Sequence, residues 1–590
     1  MVTTLLIWLY VFFLTSVYGI ILHDLAVGAK FIARSEDTLE IELLSLVGLC
    51  GITCFLGFYS VFFNVGLYAN LTLLLVGALC VSFRFREYKE YLRQSISGIA
   101  RRNGPVIALA IAFSAIVLLF SLIHPITGDT GLYHAQTIKW IEQYKAVPGL
   151  GNLHGRLAYN SHFFLTSALF SFSFLNIQSF HLLNSYLLTL FAFSILRALP
   201  VGERNGNRYT LFYALLVIFC FEMFRWKTSS PTPDIASAIC VWFIFLIGAR
   251  KVETELMNVF DFNYVTMFVL IVTVMTMKLS VMPIVLLGAV IIYSCRESLG
   301  FRQYLGIGLI GILVISPWLI RNVILSGYLV YPVPSIDLFN VDWKVPGVRI
   351  PAAADWSILS ATEESSWIRS FARIPGRYYA EVLSLPFSEW FPIWFKAKAG
   401  VQQVSFVIAS LTSLVVGIAW VFNIRQIRRK TPLVLLWLIS FLGFVFWFLT
   451  APEFRFVYSF LPWCILLPIR LFLKETVMTS RYFNYSVLTL LALFWVKTFR
   501  DPIDIFARPD YLSKVWLVPE DYIRVETVPR HVNNVTIFLP KSEDQCCWNE
   551  HLPCTPYFND KLELRGKEIS DGFRVKRRAD HRTDPDHHQQ

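Results

Sequence analysis

The chain alternates long apolar runs with short polar breaks. Runs of about 15 to 25 residues suit helices that cross a hydrocarbon layer about 30 Å thick. They predict fourteen spans, near 3–22, 41–63, 66–83, 105–123, 180–197, 209–224, 235–249, 262–277, 280–294, 304–321, 402–424, 432–449, 457–473 and 483–498. The first run, MVTTLLIWLYVFFLTSVYGIIL, has no basic n-region and no small-residue cleavage site, so it reads as a retained membrane helix rather than a signal peptide. A further run, HFFLTSALFSFSFL (162–175), is apolar enough to span. Counting it would reverse the side of everything after it, so it is expected to lie in the outer interface or to enter part-way.

Basic residues set the sides. Arg84, Arg86, Lys89, Arg93, Arg101 and Arg102 crowd one loop, and Arg425, Arg428, Arg429 and Lys430 another. Both loops are expected on the cytoplasmic side, where Lys and Arg accumulate. Alternation then brings Arg197, Arg204, Arg208, Arg250, Lys251, Arg296, Arg302, Lys474 and Arg481 to that side too. Four polar pieces are left on the external face: 124–160, 225–234, about 324–400, and the tail from about 500.

The fold expected is an all-α polytopic membrane protein of about fourteen helices with a small external α+β tail. Residues 1–104 carry the first helices and the basic loop, and 105–325 a transmembrane core with the first external loop. Residues 326–400 form the long external loop, 401–499 the last helices, 500–572 the soluble tail and 573–590 a disordered end. Within the tail, VNNVTIFLP has a strand-like pattern. No solenoid repeat and no inverted halves are visible.

Composition narrows the function. Of 590 residues, 55% are hydrophobic and only 16% charged, against roughly 25% charged in soluble proteins. This argues against a soluble enzyme, a disordered regulator and a nucleic-acid binder. The net charge of +11 reads as a topology signal rather than as affinity for polyanions. Seven of the ten cysteines lie in apolar runs, and none has metal-site spacing. Cys546, Cys547 and Cys554 sit in the polar tail, where Cys554 can pair with either of the other two.

Ionisable residues at the outer ends of spans carry the candidate chemistry. Asp129 follows a span and precedes a stretch with apolar positions at Leu132, Ala135, Ile138, Ile141 and Tyr144, which predicts a helix lying flat on the membrane. Asp129 can cap that helix or face a lipid head group. Asp234 opens a later span behind two prolines, with Lys227 close by. Helix dipole stabilisation explains an acid there, and so does a shared cleft with Asp129. Lys278, Arg321 and Arg455 lie at other outer helix ends, where they can snorkel or meet an anionic head group. Glu453 beside Arg455 can form a surface ion pair. Trp343, Trp356, Trp367, Trp390 and Trp394 of the long loop suit an interfacial belt or stacking on sugar rings.

This layout resembles the GT-C superfamily of polytopic glycosyltransferases. The likeness rests on ITGDTGLYHAQ, with Asp129 opening an outer loop after a span, on the interfacial helices and many spans that follow, and on APEFRF (451–456) starting a late helix. It covers about residues 105–325 in layout. Two features depart from it: Asp129 is followed by Thr130 where many members have paired acids, and three N-terminal spans are extra. The resemblance implies a polyprenyl-phosphate-linked sugar as donor and transfer on the external face of the plasma membrane. It implies Asp129 and Asp234 as catalytic acids, Lys278, Arg455, Lys227 and Arg321 on the donor phosphate, and His134, Tyr133 and Trp140 on the acceptor or sugar. A lipid phosphate leaves readily, so one base and one or two cations suffice. No cofactor is required and no metal is indicated. The expected partners are the lipid-linked donor, membrane lipids and a glycan, lipid or protein acceptor. The alternatives are a flippase or exporter of lipid-linked saccharides, and a polymerase or ligase relying on His134, His154, Arg156 and Arg377.

Overall fold

The computed structural model describes residues 1–33, 39–86, 88–91, 93, 104–198, 210–253, 259–347, 360–422, 430–472, 481–507, 510–541 and 545–576. Of the residues used above, Arg101, Arg102, Arg204, Arg208, Arg425, Arg428, Arg429, Lys474 and Trp356 lie outside the described residues.

Every predicted run coincides with helix, from Val2–Gly28, Ile41–Phe62 and Leu67–Phe83 to Leu461–Phe472 and Arg481–Phe506. Near 280–294 the helix is preceded by a 3-10 stretch, Leu279–Ile284, which holds Pro283. Six described helices are long and apolar enough to cross a membrane: Val2–Gly28, Ile41–Phe62, Pro233–Val252, Phe301–Ser326, Gly400–Val421 and Thr431–Thr450. Other apolar helices have 10–17 residues, and at 1.5 Å rise per residue these measure less than a hydrocarbon core about 30 Å thick. The described chain is therefore mostly helical, and six of its helices are both long and apolar enough to cross, against fourteen spans expected.

Small residues let the first two helices touch backbone to backbone. A Cβ on Gly19 would stand 1.9 Å from the Leu44 carbonyl oxygen, and one on Gly48 would stand 1.8 Å from that of Thr15. Close approach of this kind replaces the hydrophobic drive that helices lack in lipid. Within the run at 162–175, expected to lie in the outer interface or to enter part-way, the first eight residues form an α-helix. That helix, His162–Leu169, is buried throughout, and Thr166 meets Thr53 of the second helix at 3.0 Å. Eight residues span about 12 Å, so protein rather than lipid covers it.

Polar contacts sort the helix ends into two sets. At one end Arg84 pairs with Asp24 at 2.9 Å, Arg250 with Glu40 at 2.9 Å, and Lys251 with Asp261 at 2.6 Å. At the other, the Met1 ammonium donates to the Val515 carbonyl at 2.7 Å. There Val65 N–H donates to Ile141, Ala146 N–H to Ser60, and Glu520 N–H to the Leu122 carbonyl, each at 2.8 or 2.9 Å. Described parts of the four polar pieces meet at this second end, where Thr127 donates to Ser230 and Asn152 donates to the Trp343 and Phe573 carbonyls.

The tail holds two antiparallel pairs: β1 (Thr527–Val532) with β2 (Val535–Pro540), and β3 (Leu562–Leu564) with β4 (Phe573–Val575). Asn533, at φ 50°, turns β1 into β2. Strand β4 occupies the start of the end segment expected to be disordered, and 577–590 lie outside the described residues. Cys547 and Cys554 form a disulfide.

Candidate functional site

Four of the predicted residues meet at the second end. Arg455 Nη1 lies 2.5 Å from Asp129 Oδ2, and its Nε lies 3.8 Å from Asp234 Oδ2. Lys278 forms an ion pair with Asp234, and its ammonium sits 4.0 Å above the Phe456 ring. Asp129 precedes a single π-helical turn, Thr130–His134, and makes no side-chain capping bond to it. Its carboxylate goes to Arg455 instead of to the helix N-terminus. The four side chains are between 12% and 24% exposed, so the cluster is sheltered yet reachable.

Local structure places each member. Asp234 lies in the first turn of Pro233–Glu253, and Asn184 steadies the approach to it by donating to the Ser230 and Thr232 carbonyls at 2.7 and 3.0 Å. Lys278 follows the end of Phe262–Met277 in extended backbone, which swings its side chain away from the helix axis. Arg455 sits on a one-turn helix, Phe454–Val457, whose flanking carbonyls are held by three indole N–H groups. Trp394 donates to Pro452 at 2.7 Å, Trp447 to Glu453 at 2.8 Å, and Trp242 to Tyr458 at 2.8 Å.

This corrects the reading of the long-loop tryptophans. Trp390 and Trp394 are buried with Trp447 and Phe454 in a small core of their own, and Trp394 stacks on Phe454 at 5.9 Å. They serve neither as a lipid belt nor as an open sugar platform. Trp343 donates to the Val323 carbonyl at 3.0 Å and carries Arg565 at 4.5 Å. Glu453 pairs with Lys398 at 3.0 Å rather than with Arg455.

The remaining candidates fall into two groups. Lys227 lies 5.5 Å from the Tyr458 ring, and burial, followed by repulsion from Arg455, lowers its pKa. Tyr133 and His134 are buried directly after Asp129. Burial pushes the His134 imidazole down to about 3, so it is neutral at pH 7. Arg321 and Trp140 stand apart from the cluster. The Arg321 guanidinium donates to Asn160 Oδ1 at 3.1 Å and Ser60 Oγ at 2.8 Å, and Trp140 packs on Tyr144 and Phe573.

Glu364 was not among the candidates. It is 1% exposed, accepts a hydrogen bond from Tyr159 and lies 3.8 Å from Arg156 Nε. The S-x-x-E box of Ser360 and Glu363, whose side chain and backbone bond at 3.2 Å, marks the helix that carries it. Arg156 links this group to the site, since its charge also acts on Asp129.

The tail closes over the Asp129 loop. Trp548 N–H donates to the Gly131 carbonyl at 2.8 Å, and a Cβ on Gly131 would stand 2.6 Å from the indole. Gln136 and Lys139 donate to the Trp548, Asn549 and Glu550 carbonyls at 2.8 to 3.1 Å.

Burial raises the pKa of Asp129, but its neighbours, Arg455 foremost, together outweigh burial and hold the carboxyl below its ordinary value. Asp129 is thus held ionised beside Arg455, while burial, followed by repulsion from Arg455, lowers the pKa of Lys278 well below its ordinary value in its pair with Asp234. Such a set can accept one proton and neutralise one departing anion. Among the described residues no group of three or more His, Cys, Asp or Glu is arranged to hold a metal ion.

The chain belongs to the family described as Domain of unknown function (DUF8201), whose model matches residues 1–462. That match takes in all four members of the cluster and ends before the tail. No curated protein and no solved structure matches the chain.

Proposed function

We propose that the protein is a GT-C-like glycosyltransferase of the plasma membrane, moving a sugar from a polyprenyl phosphate to an acceptor hydroxyl on the external face. The observation that carries this reading is the Asp129–Arg455–Asp234–Lys278 cluster at one end of an apolar helical bundle.

Asp129 takes the acceptor proton as the acceptor oxygen bonds to the anomeric carbon. The bond from that carbon to the phosphate oxygen breaks, and the phosphate leaves with the electron pair. Arg455 and Lys278 neutralise the leaving charge, with Lys227 nearby. In the resting site Arg455 holds Asp129, which would blunt a base. An arriving phosphate competes for Arg455 and frees the carboxylate, so donor binding switches the base on. Asp234 keeps Lys278 and Arg455 aimed at the same point. The cluster provides acid–base and charge stabilisation without a cofactor.

The test is transfer from a polyprenyl-phosphate sugar by purified protein in nanodiscs. Asp129→Asn removes the base while keeping its size, and should lower transfer by roughly a hundred-fold to ten-thousand-fold. Wild-type turnover in Asp129→Asn would sink the proposal. Movement of lipid-linked saccharide across a bilayer without cleavage of the donor would instead mark a flippase.

A further inference from the structure

A second polar recess lies at the same end of the bundle, away from the Asp129 cluster. Its empty space is about 370 Å³ with the solvent at its mouth included, and Trp140, Lys145, Asn160, Ser161 and Arg321 are among its polar lining. Ile141, Leu150, Leu157 and Leu325 supply much of the rest. No acidic residue lines it.

Arg321 is 4% exposed. Its bonds run to Asn160 Oδ1 at 3.1 Å, Ser60 Oγ at 2.8 Å and the Ser60 carbonyl at 3.4 Å. All three acceptors are neutral, and among the described residues no carboxylate lies within ion-pair range of it. Asn160 is itself committed, donating to the Trp318 carbonyl at 2.9 Å and Asn322 Oδ1 at 3.1 Å. A buried charge without a counter-charge is costly, so the recess carries unmet positive potential.

Two further groups there are unsatisfied. Trp140 Nε1 and Ser161 Oγ have no hydrogen-bond partner, although the two residues are only 2% and 6% exposed. An indole N–H can only donate, so the group it lacks is an acceptor. Lys145 stands exposed at the rim and adds a second cation.

We propose that this recess binds the phosphate group of a ligand, with Arg321, Trp140, Ser161 and Lys145 as donors and the apolar wall holding what the phosphate is attached to. Four donors and two positive charges exceed what the two oxygens of a carboxylate can engage, whereas a phosphate offers three or four oxygens. The same chemistry reaches the site from a lipid head group or from a phosphate in water. This binding stands apart from the transfer reaction, because it uses none of the residues of the Asp129 cluster.

The experiment is thermal unfolding of the full chain in nanodiscs, a ligand that binds only the folded state raising the transition temperature. One arm adds inorganic phosphate to phosphatidylcholine nanodiscs, and the other replaces part of the phosphatidylcholine with phosphatidic acid. Stabilisation in the first arm identifies a water-borne phosphate, and stabilisation in the second alone identifies a lipid head group. Trp140→Phe removes only the N–H, and Lys145→Gln only the rim charge. Each should weaken the dependence by about tenfold, the size of one charge-assisted hydrogen bond. Arg296→Gln, an exposed cation at the opposite end of the bundle, should leave it unchanged. The proposal fails if neither arm stabilises the wild-type protein, or if the stabilisation persists in both Trp140→Phe and Lys145→Gln. Both variants spare the Arg321 bonds to Ser60 and Asn160, so folded protein is expected for each.

Discussion

Arg455 and Asp129 stand 326 residues apart in the chain and meet at 2.5 Å. The same guanidinium reaches Asp234 with its Nε at 3.8 Å, so one side chain ties together both carboxylates. A guanidinium can do this because its donors form a planar fork. An ammonium is a point charge.

Arg455→Lys should therefore keep the charge of the site and still lose function. A lysine can hold one carboxylate or the other, and the expected loss in transfer is about tenfold or more, equal to about 1.4 kcal/mol of transition-state stabilisation. The check is kcat/KM in nanodiscs. Parity between Arg455→Lys and wild type would mean that bridging is irrelevant.

Stability should reveal the same pairing without any assay of transfer. Leaving one member of a buried ion pair alone costs about 3–5 kcal/mol, and partial exposure of this pair brings the expectation nearer to 1–3 kcal/mol. Asp129→Asn and Arg455→Met should each lower the unfolding temperature. The double variant should recover part of the loss, and strict additivity would argue against the pair.

Trp394→Phe tests the clamp on the turn that carries Arg455. It keeps the ring that stacks on Phe454 and deletes the N–H donated to Pro452. An unsatisfied buried carbonyl costs about 1–3 kcal/mol. Both unfolding temperature and transfer should fall, whereas a change in stability alone would separate the clamp from the site.

Glu142 makes stability depend on pH. Burial pushes its carboxyl up from 4.5 to about 7. A carboxyl whose folded value exceeds its unfolded value stabilises the folded state fully at pH below about 4.5, and that stabilisation is lost as pH rises through about 7. The unfolding temperature should be higher at acidic pH than at mildly alkaline pH. Glu142→Gln should flatten the profile, and an unchanged slope would assign the dependence to other groups.

Topology can be tested in intact cells. Cysteines replacing Lys89 and Lys567 lie on the two opposite ends of the bundle, and only the second should react with a membrane-impermeant thiol reagent. The reverse pattern would put the Asp129 cluster on the cytoplasmic side.

Much of the helical layout was legible because a lipid-facing helix must be apolar along its length, and the sequence states this outright. Asp129, Asp234, Lys278 and Arg455 were legible for a related reason: an ionisable group at the mouth of an apolar run stands out against its surroundings. Their pairing was not, since it joins helix ends hundreds of residues apart. Trp390 and Trp394 misled because a tryptophan beside a membrane looks the same whether it faces lipid or fills a core. Glu364 was hidden in an ordinary helix start, and only folding brings Arg156 and Tyr159 to it. Arg321 was chosen for its charge, but that charge faces a different recess from the one expected.

The clasp between Trp548 and Gly131 joins an early loop to a segment made only after the apolar helices. A ribosome that has already released every helix of the bundle has yet to deliver this cover, and the Cys547–Cys554 staple can close only after that. A chain stalled or truncated before residue 548 would hold its Asp129 loop without the contacts that Gly131, Gln136 and Lys139 make to this segment.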